Sequence, residues 1–596
     1  MNRLSVAMCV ALAVVPALGS GQSSTPDPLV GLWMSDTTLG PPLYGELTIA
    51  RTGSVWRATL AGAQTGFSVS TDSIRFAFSA NRGAFRGVRS PDGSVIHGFW
   101  IQPEGKLVDP RDPGGTAQRF ATPVRLTRIG SRMWRGAVPG LPDRFTLYLR
   151  VATDSTGQLA GAFRNPDQNS TGGATQYRVT HEGDSIVFAA RPNIRHAAKL
   201  ITPDRLHIFW PDLVRVLELR RRAPSEVPAF FPRPPGEPLY TYRQPAATRD
   251  GWKTARAKSV GVDEAALTAL VRRLIASDPV ARRPSLMHSL LIARRGRLIL
   301  EEYFFGFDQN TTHDIRSAGK TFASVMLGAA MRQGAKLSPQ TRVYDLMSSL
   351  GPFANPHPGK ARMTLAHLMT HTSGFINDDE IVMQTQKAQS NWWKYTLDLP
   401  LGSEPGTRYS YSSAGMNLMG GALTFGTRTW LPELFDRTIA RPLQFGTYFW
   451  NLMPTDEGYL AGGAYLRPRD LMKIGQVYLD GGLWNGRRIV DSVWVTESTS
   501  PHVDVSPATT GLSKEEFPNY YFESRDGFAW HLYNVQVGKR SYREYEANGN
   551  GGQFVIVLPE LELVVTFTGA NYGQGGIWGH WRDNIVGAVI APAIRD

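Results

Sequence analysis

The chain has 596 residues, 42% of them hydrophobic and 10% aromatic, so it can bury several cores, and roughly three to four domains are expected. Its formal net charge is +13, from 64 Lys and Arg against 51 Asp and Glu. No run of five basic residues occurs, which excludes the basic stripe of a nucleic-acid reader. A single cysteine, Cys9, excludes a disulfide framework.

Residues 1–21 read as a secretory signal peptide. Arg3 starts it, the apolar run 4–18 follows, and Ala17-Leu18-Gly19 offers a small-residue cleavage site. The run is too short for a transmembrane helix, and no later stretch is apolar for 18 residues, so no membrane span is expected after cleavage. The expected destination is the periplasm or the exterior, with Cys9 removed.

Residues 28–222 read as all-β. The segments 44–49, 55–60, 73–78 and 95–100 alternate apolar and polar residues between Gly, Asp, Asn and Pro punctuation. A weak repeat runs through this region at a period of roughly 100 to 110 residues. Gly31-Leu32-Trp33 returns as Arg132-Met133-Trp134, and Asp72-Ser73-Ile74-Arg75-Phe76 returns as Asp184-Ser185-Ile186-Val187-Phe188. Two β modules are expected, 28–128 and 129–222, each a small barrel or sandwich. The opening G-x-W is similar to that of lipocalin-like proteins. A proline-rich linker, 223–250, should be extended and stiff.

From 251 to 596 helical and strand patterns alternate, and candidate chemistry concentrates there. A strand hairpin over 290–305, turning at Arg294-Arg295-Gly296-Arg297, precedes Ser317-Ala318-Gly319-Lys320. Ser317 and Lys320 are three apart, so on a helix they share a face. An amine beside a hydroxyl can help remove its proton and make it a nucleophile. It is the only S-x-x-K in the chain, and the helix expected over 321–334 would carry Ser317 at its positive end.

Further along, His367 and His371 stand at i, i+4, but no Glu follows His367 and no third ligand is evident. Both are expected to be structural, and neither a metal nor an organic cofactor is expected. In 405–415 a Pro-Gly turn leads to Tyr409 and Tyr411 ahead of an apolar helix. A phenol beside an ammonium can trade a proton, so Tyr411 is the candidate base toward Ser317 and acid toward a leaving group. Finally, Asn548-Gly549-Asn550-Gly551-Gly552-Gln553 opens a strand whose backbone can approach a ligand closely. Its expected role is to pair the N–H of Gln553 with that of Ser317 around an oxyanion.

Taken together, Ser317-x-x-Lys320, Thr364 to Gly374, Tyr411-x-Ser413, Ala461-Gly462-Gly463 and the Asn550 strand resemble the serine β-lactamase and penicillin-binding-protein-like superfamily, in particular its class C-related hydrolases and esterases. The resemblance covers 251–596. It implies an α/β (α+β) domain, an antiparallel sheet flanked by helices, with a helical lobe across a cleft. It also implies that Ser317 is the acylated nucleophile, with Lys320 and Tyr411 as its proton partners. Two departures bear on substrate. Ser413 stands where the Y-x-N motif has Asn, and Asn550-Gly551-Gly552 stands where the K-T-G strand carries its lysine. Losing a charge-assisted contact to a substrate carboxylate costs about 1.5–3 kcal/mol. The expected function is therefore a secreted serine hydrolase of small esters, amides or peptides. The alternatives are a true β-lactamase or peptidoglycan DD-peptidase, and a catalytically silent envelope-binding protein.

Overall fold

The structure is a computed structural model that describes residues 27–38, 43–70, 72–79, 82–102, 119–141, 144–165, 176–191, 194–281, 283–376, 379–519 and 523–595. The signal-peptide reading of 1–21 lies outside the described residues.

The all-β region contains a closed barrel of eight strands that fits a lipocalin-like fold. Gly31–Thr38 pairs with Arg144–Thr153 on one side and with Arg215–Arg222 on the other, so neither edge is left open. Its interior is filled with side chains, among them Trp33, Phe145, Phe163, Phe188 and Trp210. A second sheet runs from Ala63–Phe67 through Gly45–Thr52, Met133–Val138 and Arg119–Gly130 to Ser73–Ala77 and Val69–Ser70.

The strands are dealt out differently from a cut at 128/129. The two repeats exchange their opening strands: the strand carrying Trp33 closes the barrel of 144–222, while Met133–Val138, carrying Trp134, pairs with Gly45–Thr52 and Arg119–Gly130. The physical reason is local. Only two residues, Ser131 and Arg132, separate Arg119–Gly130 from Met133–Val138, so that hairpin closes at little entropic cost. The barrel position left vacant is then taken by the first strand.

The 223–250 segment is a strap packed on the rest of the molecule. Pro224–Glu226 and Pro228–Phe230 form short 3-10 turns. The Tyr240 hydroxyl donates to Glu302 at 2.7 Å, Arg233 pairs with the same carboxylate, and Asp250 meets Arg469 at 3.1 Å.

The C-terminal part is built on a nine-stranded sheet ordered Lys253–Thr254, Arg297–Tyr303, Met287–Arg294, Leu563–Gly569, Gln553–Leu558, Arg540–Gly549, His531–Val537, Ser524–Asp526, Val503–Val505. All pairings but the first are antiparallel. Met287–Arg294 is buried along its whole length, as a strand covered on both faces must be. Phe322–Arg332 and Pro468–Leu479 contribute to the core on one face of the sheet. Glu264–Ile275 and the C-terminal helical segment Arg582–Ile590 contribute to a second core on the other face. The helical lobe includes Leu365–Met369, Trp392–Asp398 and Ser413–Thr427. The second β sheet reaches this part directly. Arg119–Gly130 pairs with Phe449–Leu452, which pairs with Ala464–Leu466, which pairs with His313–Asp314. Among the described residues no helix is long and apolar enough to cross a membrane.

Candidate active site

Ser317 sits in a 3-10 turn, Arg316–Thr321, that leads into the helix Phe322–Arg332. The nucleophile candidate is thus one tight turn ahead of the expected α-helix. Arg316 adopts φ +49, a left-handed conformation unusual for a residue with a side chain, directly before Ser317. The 3-10 spacing still puts i and i+3 together. Lys320 Nζ donates to Ser317 Oγ at 2.9 Å and to the Ala461 carbonyl at 2.6 Å, and its side chain is buried. The same Nζ lies 4.9 Å from the centroid of the Tyr411 ring. A hydroxyl, an ammonium and a phenol ring therefore share one cluster.

Tyr411 is held by its neighbours in the loop. Ser412 caps Ser413–Thr427, its Oγ accepting from the Gly415 N–H at 2.9 Å. Ser413, the first residue of that helix, is engaged by Asp379, which accepts from the Ser413 N–H at 2.5 Å and from its hydroxyl at 2.9 Å. Ser413 stands at the position that the Y-x-N motif gives to a substrate contact, and its hydroxyl here donates to a carboxylate. Asp379, the first residue of the helix Asp379–Lys387, carries no sequence signal of its own.

Tyr409, the partner tyrosine, donates its hydroxyl to Asp526 at 3.0 Å. Asp526 also meets His531 Nδ1 at 2.8 Å. Burial disfavours charge on His531, but Asp526 and Glu546 outweigh it, and the ring's pKa is raised.

The glycine-rich strand end meets the nucleophile at a different residue from the one expected. A Cβ on Gly549 would lie 2.6 Å from the Ile315 carbonyl oxygen and 3.0 Å from each of the Ser317 and Ala318 nitrogens. Gly549, the last residue of Arg540–Gly549, is therefore what lets the strand touch the Ser317 amide. Gln553 pairs across from Gly549, and its buried side chain donates to the Gly569 carbonyl at 2.7 Å and to the Asn550 carbonyl at 3.2 Å. It secures the turn. Gly551 and Gly552 take φ +97 and +98 and lie under the rings of Tyr572 and Trp581, so they serve the turn's geometry. Asn550 is exposed and its Oδ1 accepts from the Gly573 N–H at 2.8 Å.

The two histidines separate in role. His367 Nδ1 accepts from the Thr364 N–H at 3.2 Å, holding the start of its own short helix. His371 lies against Tyr411, ring centroids 4.6 Å apart. Burial pushes its pKa down to about 3, so the ring is neutral. No group of three or more metal-ligating side chains occurs among the described residues.

A family model described as Beta-lactamase matches residues 271–573, just over half of the chain. A 6-aminohexanoate-dimer hydrolase from Paenarthrobacter ureafaciens is 23% identical over 318 residues, spanning 46% of this chain and 76% of that protein. Among solved structures, a family VIII carboxylesterase is 16% identical with a TM-score of 0.40, covering 54% of this chain and 93% of its own. A D-stereospecific amidohydrolase from Streptomyces sp. is 14% identical with a TM-score of 0.40, covering 54% of this chain and 98% of its own.

Proposed function

Since the chain belongs to the beta-lactamase family and is a hydrolase of that fold, we propose that it cleaves a small ester or amide through an acyl-enzyme on Ser317. The observation that carries the proposal is the 2.9 Å contact of Lys320 Nζ with Ser317 Oγ, beside the Tyr411 ring. In the first half-reaction Ser317 Oγ bonds to the substrate carbonyl carbon and its proton passes to the Tyr411–Lys320 pair. The C–O or C–N bond then breaks, and the leaving group takes that proton. In the second half, water bonds to the acyl carbon, the Ser317 ester bond breaks, and Ser317 regains a proton. The developing oxyanion rests on the Ser317 N–H and an N–H at the strand end after Gly549, which the close packing of Gly549 on the Ser317 amide supports.

The substrate class follows from charge. Ala547, Asn548 and Asn550 flank Gly549, and none of them offers a cation to a carboxylate. This weighs against β-lactams and D-Ala-D-Ala peptides and favours neutral esters and amides. The name of the curated relative, a hydrolase of the 6-aminohexanoate dimer, brings short linear amides into that range. Secretion remains part of the proposal; an amino terminus near residue 22 in the exported protein would support it, and an intact Met1 there would overturn it.

The test is covalent labelling of purified protein by an alkyl fluorophosphonate, read by intact mass, together with turnover of p-nitrophenyl esters, D-amino-acid amides and nitrocefin. Ser317→Ala should fold, lose labelling and lose turnover. Labelling of that variant equal to the parent would refute the acyl-enzyme, and nitrocefin turnover exceeding ester and amide turnover would move the reading to a true β-lactamase.

A further inference from the structure

We propose that His371 is the positioning residue for Tyr411: it grips the backbone on both sides of that tyrosine and so sets where the phenol stands relative to Ser317 and Lys320. This rests on the role given to Tyr411 above. The Ser410 N–H donates to the His371 carbonyl at 2.8 Å, and the Ser412 N–H donates to His371 Nδ1 at 3.1 Å. One residue thus takes the amide before Tyr411 with its backbone and the amide after it with its ring. The ring itself packs against the Tyr411 ring at 4.6 Å and edge-on to Tyr409 at 5.8 Å.

Three features make this a built arrangement. His371 is 3% exposed, so the acceptor at Nδ1 works in a site from which water is largely excluded. Its backbone is left-handed, φ +56, directly after the short helix Leu365–Met369 and Thr370, and that conformation presents carbonyl and ring to the same loop. The neutral ring must carry its proton on Nε2 for Nδ1 to accept, and a protonated ring would set two donors against each other at Ser412. The loop has independent anchors beyond His371, since the Tyr409 N–H donates to the Thr509 carbonyl at 3.0 Å and Ser413 is held by Asp379. Losing the His371 side chain should therefore loosen the orientation of Tyr411 without releasing the whole segment.

The experiment uses two substitutions of His371 in the full chain, with Tyr411→Phe and the corresponding double variant. His371→Asn keeps an acceptor oxygen at the position of Nδ1 and tolerates left-handed backbone. His371→Gly keeps the backbone but removes acceptor and ring. The readouts are kcat and KM on a p-nitrophenyl ester and the rate of fluorophosphonate labelling. His371→Gly should lower kcat by about tenfold to hundredfold with KM within about threefold, the scale expected when a catalytic group shifts by about 1 Å. His371→Asn should recover most of that loss. In the double variant the His371→Gly penalty should vanish on top of Tyr411→Phe, because the histidine acts through the tyrosine. A penalty that multiplies undiminished in the double variant, or a His371→Asn as impaired as His371→Gly, overturns the positioning role while leaving Tyr411 in place. Unchanged activity of Tyr411→Phe would overturn the role of Tyr411 and this proposal with it, whereas the Ser317→Ala result would still stand.

Discussion

Replacing Lys320 by Met removes the ammonium and keeps the length of the side chain. Two contacts disappear, the 2.9 Å one to Ser317 Oγ and the 2.6 Å one to the Ala461 carbonyl. Their effects on stability and on rate differ. For stability, two hydrogen bonds from a charged donor are lost at about 1.5–3 kcal/mol each. Against this, the buried position no longer holds a charge whose desolvation costs several kcal/mol. The two nearly cancel, so folding stability should change by less than about 2 kcal/mol, a shift of a few degrees in melting temperature. For rate there is no offset. Proton transfer by a positioned group is worth about 10²–10⁴-fold, or about 2.7–5.4 kcal/mol of barrier at about 1.36 kcal/mol per decade. The assay is the second-order rate of fluorophosphonate labelling, followed by intact mass, beside a thermal melt of the same sample. The expected result is a folded protein that labels at least about a hundredfold more slowly. A Lys320→Met protein that labels within about threefold of the parent would show that the Ser317 proton leaves by another route.

Gly549→Ala adds one methyl where 2.6 Å separates it from the Ile315 oxygen and 3.0 Å from the Ser317 nitrogen. At Gly575 a Cβ would meet nothing within 4 Å. Ester turnover should fall by at least about tenfold in Gly549→Ala and stay level in Gly575→Ala, with equal loss in both counting against the strand-end contact. Four buried histidines make stability pH-dependent, His288 among them, its pKa also pushed well down by burial. Burial lowers the pKa of His196 to about 4, of His313 to about 4 and of His371 to about 3. The unfolded chain, with histidines near about 6.5, binds more protons in acid than the folded one, so stability is complete above that pH and falls as pH drops toward 4. Each ring contributes a slope of up to about 1.4 kcal/mol per pH unit in that window. Melting temperature should be level above pH 7 and fall below 6.5, less steeply in His196→Gln; a flat profile from pH 7 to 4.5 would contradict the buried neutral rings.

The core of the candidate site was legible because Ser317 and Lys320 are close in sequence. Ser317 and Lys320 are three residues apart, and either a 3-10 turn or an α-helix brings them to one side. Tyr411 could be picked out from the Pro-Gly turn and the apolar helix that follow one another around it. The hairpin 290–305 was likewise written into its turn, where Arg295 and Gly296 both take positive φ, as a tight hairpin requires. What escaped the sequence are contacts between distant segments. Asp379 meets Ser413 across 34 positions, and His371 takes the amides of Ser410 and Ser412 from about 40 positions away. A single Asp or His looks the same in sequence whether it faces water or a helix end.

The alternation of apolar and polar residues in 28–222 determined that this region is β, and the weak repeat suggested two modules within it. It could not say which half owns which strand, since Trp33 and Trp134 stand in segments with the same strand-like pattern. Closure decided that: Ser131 and Arg132 tie Met133–Val138 to Arg119–Gly130 in a short hairpin, and Gly31–Thr38 closes the barrel by pairing with Arg144–Thr153 and Arg215–Arg222. At the glycine-rich strand the sequence named the stretch, while only packing chose Gly549 over its neighbours. Composition sets how a backbone can bend, but which atom it meets depends on a partner folded from another part of the chain.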